Sequence, residues 1–120
     1  MHIRREIDRV LLDWKQQETR KPLLLRGARQ VGKSTAVRQL ATHFEHYVEI
    51  NFEAQLDIRA FFAGNLDPLA ICDALSLYVN TPIIPGKTLV FFDEIQACLP
   101  AISSLRFFYE KLPALHLISA

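Results

Sequence analysis

The chain has 120 residues, half of them hydrophobic and 22% charged, with a formal net charge of +1. That is enough for one domain with one core, and it excludes a disordered chain, which is poor in apolar residues and rich in net charge. The near-neutral balance gives no electrostatic case for a nucleic-acid or membrane partner. Cys72 and Cys98 lie far apart, match no metal or redox spacing, and read as buried free thiols suited to a reducing cytoplasm. The start, Met1 to Glu6, is charged and lacks the apolar run of a signal peptide, and runs such as Leu89 to Phe92 are too short to span a bilayer.

Ile3, Ile7, Val10, Leu11 and Trp14 recur at helical spacing among charged residues, which predicts an opening helix with one buried face. Pro22 then starts the short run Leu23, Leu24, Leu25, the pattern of a buried strand. After a glycine-bearing loop, Val37, Leu40, Ala41 and Phe44 mark a helix. Tyr47 to Phe52 alternates, with Val48, Ile50 and Phe52 on one face and Tyr47, Glu49 and Asn51 on the other. Asp67 and Pro68 read as an N-cap and a first helical position, and Ile71, Leu75, Tyr78 and Val79 as the buried stripe that follows. Thr81 to Lys87 is a loop, and Leu89 to Phe92 a central strand apolar on both faces. Ile102, Leu105, Tyr109 and Leu112 predict a last helix, and Leu115 to Ile118 a last strand. Strands alternating with helices predict a parallel sheet covered on both faces.

Gly27, Ala28, Arg29, Gln30, Val31, Gly32, Lys33 and Ser34 fit G-x-x-x-x-G-K-[ST] in full, after a predicted strand and at the opening of a predicted helix. Glycine permits backbone dihedrals that let successive N–H groups curl around an anion, and the helix aims its positive end at the same point. Lys33 supplies a mobile charge for the outer phosphates, and Ser34 a hard oxygen for Mg²⁺. Thr35 completes the nucleotide-binding run. Asp93 and Glu94 directly follow the apolar strand, where ligands of open α/β sheets bind. Placed near the phosphate loop, Asp93 would serve the metal, and Glu94 would polarise a water for attack on the terminal phosphate.

Other residues carry less. Asn51 suits either a hydrogen bond near the site or a turn. Arg106 reads as a helix-surface residue, with a charge donated to a neighbouring subunit as the other reading. Phe107 and Phe108 read as packing, and His43, His46 and His116 show no metal spacing.

The stretches Leu24 to Ser34, Asn51 to Glu53 and Phe92 to Gln96, extended by Arg106 to Glu110 and Leu115 to Ile118, resemble the AAA-type ATPases within the P-loop NTPases. The likeness is to a prokaryotic subgroup of ATP-binding proteins with a C-terminal domain of uncertain role. It implies an α/β three-layer sandwich with strand order 5-1-4-3-2, and ATP and Mg²⁺ as ligands. It implies that Lys33 and Ser34 bind phosphates and magnesium, that Asp93 holds the metal through water, and that Glu94 activates water. It also implies assembly through the ATPase domain. Residues 1–120 correspond to the N-terminal part of such a domain, with about four strands and no fifth strand, arginine finger or lid. The family's polar sensor lies just past the fourth strand; Ser119 stands at the start of that stretch and is not assigned the role.

Two further readings stand beside an ATPase: a non-catalytic nucleotide-binding module or inactive gene fragment, and a small-molecule kinase. Guanine specificity lacks the Asn-Lys-x-Asp sequence of GTPases. Without a fifth strand, Leu23 to Arg26 forms an apolar sheet edge, an aggregation hazard. The 120-residue chain is therefore expected to be marginally stable and poorly soluble; a monodisperse, cooperatively unfolding protein at micromolar concentration would contradict this.

Overall fold

A sheet forms around β3 (Thr88–Asp93), whose residues Thr88 to Phe92 are all buried. A strand with no solvent face needs cover on both sides, and the computed structural model of the chain, which describes residues 5–17, 21–25 and 31–120, supplies it. For residues 5–7 and 31 only the backbone is described. The elements run α1 (Arg5–Gln16), β1 (Leu23–Leu24), α2 (Val31–Ala41), β2 (His46–Asn51), α3 (Pro68–Val79), β3, α4 (Leu99–Lys111) and β4 (His116–Ser119). Two 3-10 helices, Leu56–Phe62 and Ile95–Ala97, lie before α3 and after β3.

All strand pairs are parallel, in the order β1-β4-β3-β2. That is the order the resemblance implies for these four strands. Asn51 pairs with Asp93, and Phe92 with Ser119, so the carboxyl ends of the inner strands finish level with one another. Because β1 and β2 are parallel, α2 between them must run antiparallel to both, with its N-terminus at those carboxyl ends.

Alternation along the strands sends side chains to two cores. Leu89, Phe91 and Ile118 join Leu11 and Trp14 of α1 and Ala36, Val37 and Leu40 of α2. Val90, Phe92, Leu117, Val48, Ile50 and Phe52 join Ile71, Cys72 and Leu75 of α3 and Ala101 and Phe108 of α4. Helices on both faces of a parallel sheet make a three-layer α/β fold, consistent with the one the resemblance implies. In the second core the Phe92 ring meets Phe52, Phe62 and Phe108 edge-on, at centroid distances of 5.5, 5.7 and 6.0 Å. Such contacts favour the positive edge of one ring against the negative face of another.

The expected start of α3 and the loop before β3 are present, and α3 has a C-cap besides. The Asp67 carboxylate accepts the Leu69 N–H at 3.3 Å, with Pro68 opening α3. Asn80 closes that helix in the left-handed conformation. In the loop before β3, Gly86 takes φ 87°, which a β-carbon would oppose. The buried Thr88 hydroxyl donates to the Pro82 carbonyl at 2.9 Å and accepts the Ile84 N–H at 3.0 Å, tying the loop to the strand.

Four sequence readings need correction. Val10, assigned to the buried face of α1, is 52% exposed, because that helix packs through Leu11 and Trp14. Tyr78 is exposed on α3 and leans on Phe61 at 5.8 Å instead. In α4 the buried residues are Ala101, Ser104 and Phe108, whereas Ile102 and Tyr109 face outward. The other two residues of the expected stripe, Leu105 and Leu112, are partly buried against the core, so the buried face is centred to one side of that stripe rather than away from it. The inner face of α4 combines two small residues, Ala101 and Ser104, with the Phe108 ring, and the Ser104 hydroxyl is satisfied by donating to the Ala101 carbonyl at 2.6 Å. β1 is an edge strand and only half-buried, with Leu24 39% exposed.

Phe92→Ala should cost about 3–5 kcal/mol, the usual range for emptying a buried aromatic site. A urea titration checks this; because small domains hold only about 5–15 kcal/mol in total, the variant should be largely unfolded in mild denaturant.

Candidate functional site

The first turn of α2 carries Gly32, Lys33, Ser34 and Thr35, all half-buried, and no acidic side chain. The first N–H groups of a helix have no partner within it, so this end presents donors and a positive dipole toward the strand ends. Val31 is placed by its backbone as the first residue of α2. Gly27, Ala28, Arg29 and Gln30 lie outside the described residues.

Asp93 ends β3 in the alternation of Leu89 and Phe91, which places it on the sheet face covered by α2. Its Oδ1 accepts the Glu94 N–H at 2.9 Å. Burial pushes the Asp93 carboxyl above its ordinary range; the Glu94 N–H opposes that, and the charges of Glu94 and Glu49 add to it. The Arg38 charge pulls the other way. Asp93 therefore sits on a half-buried rim, close enough to Glu94, Glu49 and Arg38 to feel their charges.

Glu94 has φ 54° and ψ 46°, a left-handed conformation that a side chain with a β-carbon rarely adopts. The strand is broken there, and the chain turns at once into the 3-10 helix Ile95–Ala97. Two hydrogen bonds hold the turn from β4: Ala120 N–H donates to the Phe92 carbonyl, and Ile95 N–H donates to the Ala120 carbonyl, both at 3.0 Å. With Ile95 buried beyond it, Glu94 is fixed at the point where the sheet ends. Its Oε1 accepts from Gln96 Nε2. Strained residues held in place by their surroundings are characteristic of functional sites.

Beside Asp93 lies a polar group that sequence reasoning did not single out. Arg38 of α2 donates twice to Glu49 of β2, Nε to Oε1 at 2.9 Å and Nη2 to Oε2 at 2.7 Å. The Tyr47 hydroxyl donates to Glu49 Oε1 at 2.7 Å. These bonds hold Glu49 below the usual carboxylate range, Arg38 first among the causes. The only sequence signal was the alternation that puts Tyr47 and Glu49 on one face.

The family model described as an AAA domain matches residues 19–120. The chain belongs to the AAA domain family. Neither the curated proteins nor the solved structures provide a match. Membership carries nucleotide binding of the ATPase type as the general function, and the AAA domain here has the four-stranded parallel sheet that goes with it. No helix among the described residues of the AAA domain is long and apolar enough to cross a membrane.

The lesser candidates separate clearly. Asn51 makes a turn: its Oδ1 accepts the N–H groups of Glu53 at 2.8 Å and Ala54 at 2.9 Å. Arg106 pairs with Glu110 one turn along α4 at 3.0 Å, as a helix-surface residue does. Phe108 is core. His116 is buried under α1, its Nε2 3.0 Å from the Lys15 carbonyl and its ring edge-on to Trp14 and Phe44. Among the described residues no group of three His, Cys, Asp or Glu could hold a metal on its own.

Asp93→Asn should stabilise the AAA domain at neutral pH. Burial raises the carboxyl above its unfolded value, so the ionised form opposes folding above that range, whereas below about pH 4 both states are protonated and the difference vanishes. Asparagine keeps an oxygen for the Glu94 N–H. Thermal melts of both proteins at pH 7 and near pH 3.5 should show a higher midpoint for the variant only at the former.

Proposed function

We propose that this AAA domain binds ATP with Mg²⁺ and hydrolyses it, with water attacking the terminal phosphate. One observation carries the reading: Asp93 and Glu94 end the central strand on the side toward which the N-terminus of α2, with Lys33 and Ser34, is directed.

In this reading the backbone from Gly27 to Ser34 cradles the phosphates, Lys33 pairs with the outer ones, and Thr35 closes the run. The donor set fits magnesium. A hydroxyl at Ser34 and a carboxylate at Asp93 are hard oxygens, and Mg²⁺ in such sites takes few protein ligands beside phosphate and water. Bound there, the ion would neutralise phosphate charge in the transition state. Glu94 receives the proton of the attacking water as a bond forms from its oxygen to the terminal phosphorus. The bond from that phosphorus to the bridging oxygen breaks, and the electron pair leaves with ADP. The Asp93 Oδ1 contact to the Glu94 amide links metal ligand and base through one peptide unit.

The cytoplasm is the proposed compartment, supported by two buried free thiols, Cys72 and Cys98. Burial pushes the Cys72 thiol up to about 12, so it packs as a small apolar group rather than reacting. Assembly into a homo-oligomer through the AAA domain belongs to the same proposal.

Calorimetric titration with Mg·ATP, beside Lys33→Ala and Glu94→Gln, tests the reading. Wild type should bind and release phosphate. Lys33→Ala should lose binding, and Glu94→Gln should bind ATP with turnover lowered about 100-fold or more, as expected for loss of a general base. Binding by wild type without phosphate release would leave a nucleotide-binding module and remove the hydrolase.

A further inference from the structure

The Arg38–Glu49 pair joins two elements that the site needs in fixed relation. Arg38 lies one turn after Ser34 on α2, so the two share a helix face. Glu49 pairs with Phe91, and Asn51, two residues on, pairs with Asp93. Going from Arg38 back to Ser34 covers about 5.4–6 Å of helix, and going from Glu49 to the level of Asp93 covers about 6.6 Å of strand. Helix and strands are antiparallel, so both steps lead toward the carboxyl edge of the sheet. A link at Arg38–Glu49 therefore sets Ser34 level with Asp93.

The link has the geometry for that task. Two parallel bonds between a planar guanidinium and a carboxylate fix orientation as well as distance. The acceptor is itself constrained, since Glu49 is largely covered and also receives the Tyr47 hydroxyl. Arg38 is mostly exposed, so the pair contributes little to global stability and its value is positional.

We propose that Arg38 and Glu49, braced by Tyr47, are positioning residues that hold the Ser34-bearing turn of α2 against the Asp93 end of β3, and so govern the metal-dependent part of nucleotide binding. This rests on the ATP reading above. Lys33 and the loop backbone engage phosphate without metal, whereas Ser34 and Asp93 act together only through the ion. Loosening the link should therefore weaken the contribution of Mg²⁺ and spare the rest.

ATP affinity should be measured in Mg²⁺ and in EDTA for wild type, Arg38→Ala, Glu49→Gln, and the exchanged pair Arg38→Glu with Glu49→Arg. The gain in affinity on adding Mg²⁺ should fall about 10–100-fold in each single variant, the range for residues that orient metal ligands. Affinity in EDTA should stay at the wild-type value, and the exchanged pair should recover much of the gain. An unchanged gain, or an equal loss with and without Mg²⁺, would overturn the proposal. Hydrogen exchange without nucleotide gives an independent decision. Faster exchange at Thr35 to Gln39 in the single variants, with β3 unaffected, supports the link, and unchanged exchange in α2 overturns it. If wild type bound no nucleotide in either buffer, the ATP reading would fall and the exchange result would still decide the role of the pair.

Discussion

A strand buried on both faces has to be covered twice, and β3 imposes that requirement on the whole chain. Leu89 and Phe91 draw α1 and α2 onto one side, and Val90 and Phe92 draw α3 and α4 onto the other. Neither layer can shift without opening a void beside the same strand, and close-packed interiors resist such voids. The site inherits this rigidity, because Phe92 and Asp93 are consecutive. The ring that anchors the aromatic core sets the position of the carboxylate at the sheet rim.

The rim works against the fold locally. Asp93 is a partly desolvated carboxylate with other carboxylates nearby, and Glu94 holds a backbone conformation that its β-carbon disfavours. Both are tolerated because the chain on either side is fixed: by five buried strand residues before, and after by Ile95 and the hydrogen bonds to Ala120. Strain and charge repulsion maintained in this way come at some cost to stability and are held there by the surrounding fold.

The central strand and the alternation of β2 were legible in the sequence because each depends on local spacing alone. Helix faces were less so. Counting large apolar residues along α4 selected Ile102, Leu105, Tyr109 and Leu112; Leu105 and Leu112 do pack against the core, but Ile102 and Tyr109 face outward, and the fully buried positions are Ala101, Ser104 and Phe108. Which face of a helix is buried depends on the shape of what it meets, and hydrophobicity alone does not encode that. The helix Leu56–Phe62 has too few turns to show a period, although its Ile58 and Phe62 enter the core. Arg38 and Glu49 are single charges 11 positions apart; only the parallel placement of β2 beside β3 makes them neighbours of Asp93. The resemblance supplied the strand order β1-β4-β3-β2, which no periodicity contains.

The opening helix shows that the stretch matched by the family model and the folded unit need not coincide. The family match begins at residue 19, yet Leu11 and Trp14 of α1 are core residues packed with Val37, Phe91 and Ile118. The Trp14 indole N–H donates to the Lys21 carbonyl at 2.9 Å, and His116 Nε2 lies against the Lys15 carbonyl. A chain trimmed to the recognisable domain would expose an apolar face of the sheet and of the helix that carries Lys33. Nucleotide binding in such a trimmed protein would then be lost through wetting of the layer beneath the site, with every motif residue still in place.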